Sequence, residues 1–307
     1  MAEASENIPV GRNGQRPLSE ALGVSFWLAL MWLAVVFTLA LTAGCWALPP
    51  FDRMHWEHPA APPGTVSLLP AQGGDESAGP VRLVHILGAD TMGRDILTRL
   101  IFGARVSLTV GLLTPLIGLI VGGTLGMLAG FYRGPLETVV GVMVDAILAF
   151  PGIVLLLAIT FYLGPGLINI IIALAVLTIP VFIRVARAST LKFSQQAFVH
   201  SARILGQGDM SILLREILPN IILPLVVYGL LVVAYMIVAE GALSFIGLGV
   251  PAPTPSWGGM IAEGKEVLSL APHVSLLPSL VMFVTVLSFN LIGDRLRAII
   301  DFRQGQV

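Results

Sequence analysis

The sequence predicts an all-α integral membrane protein with about six transmembrane helices, and three observations carry that prediction. The 307 residues are 56% hydrophobic and only 11% charged, whereas soluble domains carry about 25% charged residues. The mean hydropathy is +0.89. The apolar residues fall in runs of about 20 or more, long enough to cross roughly 30 Å of hydrocarbon as helix.

These runs place spans near 22–48, 106–131, 138–163, 168–186, 221–247 and 273–292, each bounded by charged, Pro-rich or Gly-rich residues. The chain then divides into a tail 1–21, a first span 22–48, an outer loop 49–105 with an interfacial helix, a five-helix core 106–299 containing a loop 187–220, and a tail 300–307. The first run follows Arg12 and Arg16 and is about twice as long as a signal-peptide core, so it is expected to remain as an anchor. Thr42-Ala43-Gly44-Cys45 has the outline of a lipoprotein cleavage box, but Thr42 stands where leucine is usual and a small-residue helix end is expected. Cys45 is the sole cysteine, which leaves neither an intrachain disulfide nor a thiolate zinc site.

An even number of spans puts both termini on one side. If that side is cytoplasmic, eleven of the 17 lysines and arginines lie inside and six outside, as the positive-inside rule requires. A net charge of −1 with no basic stripe argues against nucleic-acid binding.

The stretch 49–87 holds Pro49, Pro50, Pro59, Pro62, Pro63, Pro70 and Pro80 and is expected to resist regular structure. Asp52, Met54, His55, Glu57 and His58 crowd metal-ligand types into it, with His85 able to join. A Pro-rich loop seldom preorganises a site, so no metal is expected, and His55 and His58 are the candidates. Beyond it, Asp90 or Thr91 is placed to cap a short surface helix, with Ile96, Leu97, Leu100 and Ile101 on one face and Asp95 and Arg99 on the other.

Pro115, Pro151, Pro180, Pro224 and Pro278 put one proline in every span from the second to the sixth. Each frees backbone carbonyls that protein or a cavity must satisfy. Gly118, Gly122, Gly126 and Gly130 recur every four residues in the second span, a flat stripe suited to close helix packing.

Between the fourth and fifth spans the chain turns polar, from Phe198 through His200, Ser201, Ala202, Arg203, Leu205 and Gly206 to Asp209 and on to Pro219. The pattern reads as helix, glycine turn, helix. Asp209 is expected to cap the second piece and Pro219 to stop it. From spacing alone, a projection that fills a partner's groove and a connector packed on its own chain fit equally.

The hairpin resembles the coupling loop of ATP-binding cassette (ABC) importer permeases, with Gly206 as the glycine of the turn and Leu218-Pro219 as its close. His200-Ser201-Ala202 stands where that family usually has Glu-Ala-Ala. Further stretches resemble the dipeptide, oligopeptide and nickel permeases, specifically the C-type permease of the pair. They are His85 to Asp95, Phe102 to Leu108, Ala149-Phe150-Pro151, Ala239 to Gly249, Pro253 to Gly258 and Phe289 to Asp294. The resemblance implies a type I ABC importer permease with a cytoplasmic coupling helix in a bacterial inner membrane. It implies four kinds of partner: a second permease, two cytoplasmic ATPases, an extracytoplasmic binding protein and the lipid bilayer. The ATPases would contact His200, Ser201, Ala202, Arg203, Leu205, Gly206 and Asp209. Peptide is the implied substrate, with nickel or another small solute as the alternative.

Nothing recommends an enzyme. Gly259 to Glu266 almost spells a phosphate-binding loop, yet Glu266 replaces the magnesium-binding Ser or Thr. No cofactor is therefore expected on this chain, with ATP and magnesium on partner subunits. Asp145 and Glu240 are acids inside predicted spans, where a charge costs at least a few kcal/mol. They are candidates for the pathway, for a structural hydrogen bond or ion pair with Arg184 or Arg187, or for the cation site of an ion-coupled carrier or channel.

Overall fold

Backbone N–H and C=O groups in lipid have no water to bond, so each hydrophobic run closes its hydrogen bonds internally as helix. The computed structural model describes residues 18–46, 48–56, 58–69 and 81–304. Arg12, Arg16, Glu57, Pro70, Pro80 and the tail 305–307 lie outside the described residues. Among the described residues five helices are long and apolar enough to span a bilayer, or up to six if a bent pair counts as one span.

Helix α1, Leu18–Thr42, is kinked at Gly23 and lies along the last helix, where Trp32 Nε1 donates to Thr285 Oγ1 at 3.0 Å. The loop that follows is not without regular structure. Strands β1, Thr65–Leu69, and β2, Val81–His85, pair antiparallel with Thr65 opposite His85.

Helix α2 runs unbroken over Ile96–Tyr132, so the separate surface helix expected before residue 106 is instead its first turns. Its cap is Asp95, neither Asp90 nor Thr91. The Asp95 carboxylate accepts from Thr98 N and Thr98 Oγ1, both at 2.8 Å. Asp95 and Arg99 are buried, not turned to solvent. At about 1.5 Å per residue these 37 residues exceed the hydrocarbon thickness, which lets the polar first turns stand outside it.

Midway, α2 passes through a π-helical turn at Gly118–Gly122 and packs its glycine stripe on helix α5, Leu167–Ser194. A methyl group at Gly122 would lie 2.5 Å from Ile179 O, and one at Gly130 2.9 Å from Arg187 O. The stripe is therefore a contact between backbones, as expected. Replacing Gly122 with leucine should cost about 1–3 kcal/mol or more through overpacking, read as a lower unfolding temperature of the detergent-solubilised protein. An unchanged temperature would show that these helices do not need to touch.

The third span is two helices, α3 (Gly134–Leu148) and α4 (Gly152–Leu163), bent by 88°. The break falls at Ala149-Phe150-Pro151, where proline cannot continue a helical ladder. After α5 comes a short helix α6, Ala197–Ile204. Helix α7 then runs over Asp209–Phe245 without stopping at Pro219. A π-helical turn, Leu213–Ile217, precedes that proline, which sits at the start of the following α-helical stretch where its missing N–H matters least. Helices α8, Trp257–Gly264, and α9, His273–Gln304, complete the chain.

Gly23 lies against Arg295, and Arg203 sits over the Phe131 ring. One end of the bundle, the hairpin end, thus gathers the start of α1, the end of α2, α6 and the end of α9. The loop end carries the strands and α8, tied by Arg105, which donates to Ala40 O and Leu41 O, and by His273 Nε2 at 3.0 Å from Ala61 O.

Candidate coupling hairpin and translocation face

The hairpin end presents a turn that only glycine fits easily. Gly206 has φ 77, a left-handed conformation costly for other residues. Gly206 N donates to Arg203 O and Gln207 N to Ala202 O, each at 3.0 Å, which closes α6 as a Schellman motif. Gln207 Nε2 donates to Ser211 Oγ at 2.8 Å and braces the turn to α7. Asp209 is the first residue of α7, but the cap position is Gly208 with no side-chain bond. The carboxylate acts instead through the positive end of the helix dipole.

The two sides of the hairpin differ. Val199, Ala202, Ile212, Leu213 and Ile217 are buried against Phe182, Ala186, Met127 and Phe131, so Ala202 faces inward and not toward a partner beside Gly206. His200, Ser201, Arg203, Gly206 and Asp209 are exposed. Ile204 and Leu205 are both 86% exposed at the tip. Two aliphatic side chains held in water by a buried base form an anchored, unpartnered knob. Leu205 was legible beside the glycine; Ile204 was not singled out, although its adjacency carries the same signal.

A second surface faces sideways. α3 buries only Val140 and Val144, and the break between α3 and α4 opens against α5 and α7. A cavity of ≈ 440 Å³ lies there, lined by Phe150, Leu155, Thr178, Tyr228, Tyr235 and Met236 among others. One helical turn from Val181 of its wall, Arg184 Nη2 donates to Asp145 Oδ1 at 2.9 Å. Both side chains are open, at 58% and 74%. A second pair joins Arg187 to Glu137. Tyr228 and Tyr235 were missed by sequence reasoning, since an aromatic in an apolar run carries no mark of a cavity.

Glu240 lies elsewhere. It is completely buried where α2, α7 and α8 cross. Ser244 Oγ and Ser256 Oγ donate to its Oε1 at 2.8 Å, and Ser107 Oγ reaches Oε2 at 3.4 Å. Ser256 Oγ also accepts from Gly259 N, and Ser107 Oγ accepts from Trp257 N. The Gly259 to Glu266 stretch is thereby the body of α8, capped by Ser256, and the 3₁₀ turn that follows it, with no strand before it. Of the two acids, only Asp145 opens onto a surface.

At the loop end, Arg94 donates to Asp90 Oδ2 from Nε and to Glu263 Oε2 from Nη2, each at 2.6 Å, and Arg99 Nη2 meets Glu263 Oε2 at 3.0 Å. His85 is buried between Asp95 Oδ1 and Ser67 Oγ, both at 3.0 Å, and so serves the fold of this loop. Among the described residues no group of three or more His, Cys, Asp or Glu gathers around a metal-sized space, and His55 and His58 belong to no such group.

The profile of a family described as "Binding-protein-dependent transport system inner membrane component" matches residues 122–306, more than half of the chain. The chain belongs to that family. The permease is 42% identical over 217 residues to the glutathione transport system permease protein GsiD of Pectobacterium atrosepticum, across 71% of this chain and 72% of that protein. It is 44% identical over 219 residues to GsiD of Escherichia coli, with the same coverage. Its fold matches that of a chain in an inward-facing structure of the MetNI methionine ABC transporter. The TM-score is 0.56 at 20% identity, over 66% of this chain and 97% of that one. This protein is thus a multi-pass inner-membrane permease of an ABC importer with the type I fold, and the family is a membrane component, not itself an enzyme. That sets aside the ion-coupled carrier and the channel.

Proposed function

We propose that the permease forms, with a second related permease, the translocation pathway for small peptides of the glutathione class. In this reading two cytoplasmic ATPases, which hold the ATP and magnesium, seat the hairpin tip in their grooves, and an extracytoplasmic binding protein delivers substrate at the loop end. Both chain termini and the hairpin are then cytoplasmic, in keeping with the excess of lysine and arginine on that side. The observation that carries the reading is the hairpin itself, with a buried base fixed to α2 and α5 and an exposed Ile204-Leu205 tip. Such a tip transmits force only if something grips it. His200, Ser201, Arg203, Gly206 and Asp209 make the exposed rim of that contact, and Ala202 supports it from within. The glutathione transport permeases are the relatives that favour peptide over nickel.

The test is reconstitution of the permease with its co-purifying subunits and binding protein in proteoliposomes. ATP-dependent accumulation of a tripeptide is expected only when the permeases, the ATPases and the binding protein are all present. Accumulation by this chain alone, driven by an ion gradient, would overturn the reading.

A further inference from the structure

The open ion pair beside the cavity is unexplained by packing. Arg184 lies ten residues before the end of α5 at Ser194 and two residues inside the hairpin end of the span expected at 168–186. A charge pair so near a span end, with both side chains open, reaches water or a polar occupant in preference to acyl chains. The neighbouring space of ≈ 440 Å³ falls in the range of small-molecule sites, about 300–1,000 Å³. Its walls are apolar and aromatic, with the hydroxyls of Tyr228 and Tyr235 as polar handles, while Thr178 Oγ1 donates to Ala175 O. Around it, then, are one fixed cation, one fixed anion and an apolar chamber.

We infer that Arg184 and Asp145 form a charge clamp in the translocation pathway, taking the terminal carboxylate and ammonium of a zwitterionic peptide while a side chain enters the adjoining cavity. The inference rests on the importer reading and names the residues that select its substrate. The two side chains neutralise each other through one hydrogen bond. A zwitterion exchanges that contact for two charge-assisted ones, so the site has no net charge to neutralise in either state. A peptide capped at both ends offers only one side of this exchange, namely loss of the internal pair. The other acid of α3, Glu137, and the next cation along α5, Arg187, already engage each other further toward the hairpin end.

The experiment uses the assembled transporter in lipid nanodiscs, with Cys45→Ser removing the sole cysteine and Val181→Cys placing a thiol on the cavity wall with the ion pair intact. A small methanethiosulfonate reagent should label that thiol. A free-ended tripeptide should slow labelling about tenfold, and the same tripeptide acetylated and amidated should slow it less than about twofold. No labelling, or equal protection by both peptides, overturns the clamp. In proteoliposomes, Asp145→Asn and Arg184→Gln should each reduce uptake of the free tripeptide about tenfold, and the exchanged pair Asp145→Arg with Arg184→Asp should not restore it. Restoration by the exchange would make the pair a bridge between helices and nothing more. Absence of uptake by the unmodified complex sinks the importer reading; uptake with unselective protection sinks only the clamp.

Discussion

Replacing Gly206 with valine is expected to leave the permease in the membrane and to uncouple it, with peptide uptake falling about tenfold or more while ATP hydrolysis by the complex no longer follows substrate. The left-handed backbone at Gly206 costs a residue with a Cβ about 1–2 kcal/mol, and more for a β-branched one. The space around it is open, so the penalty is conformational and not a clash. The chain relieves it by giving up the two hydrogen bonds that close α6, and the Ile204-Leu205 tip loses its direction. Leu205→Asp attacks the same contact without touching the backbone. It should abolish co-purification of the ATPases and leave the unfolding temperature of the permease unchanged, because Leu205 touches almost nothing in its own chain. Normal uptake with both substitutions would remove the hairpin from the coupling path.

Removing Arg94 should cause the largest loss of stability. Its side chain is 1% exposed and bridges Asp90 to Glu263. Arg94→Met keeps the bulk but leaves two carboxylates sharing Arg99, whose Nε and Nη1 already lack hydrogen-bond partners. Breaking a buried pair in this way costs about 3–5 kcal/mol, although the partly exposed Glu263 recovers some solvation and moderates its own share. For a chain of this size that corresponds to a fall of about 10 °C in unfolding temperature, measured on the detergent-solubilised permease. Adding Asp90→Asn and Glu263→Gln should recover part of the loss, since neutral amides no longer strand a charge. A fall within about 2 °C for Arg94→Met alone would place these ions in water, where such pairs contribute little.

What could be read along the chain was whatever depends on neighbours in sequence. Hydropathy placed the spans, because a lipid-facing helix must be apolar over its length. The four-residue recurrence of Gly118 to Gly130 announced a close helix contact, and the polar break with its glycine announced the hairpin. Turn chemistry failed where a long helix absorbed it: Pro219 does not end α7, since a π-helical turn before it accommodates the ring, and Asp90 yields the cap of α2 to Asp95. Other properties belong to pairs of faces that meet only after the helices cross. Arg94 finds Glu263 across 169 positions, Glu240 gathers serines from three elements, and Asp145 meets Arg184 beside a cavity that exists because α3 and α4 part by 88°. A single sequence specifies each of these groups, but its hydropathy and spacing say nothing about which partner is opposite. The number of spans and the place of the hairpin were therefore determined locally. Only the tertiary structure decided that Glu240 is walled in while Asp145 is open, because the difference between a brace and a binding group is which side of the helix the packing leaves uncovered.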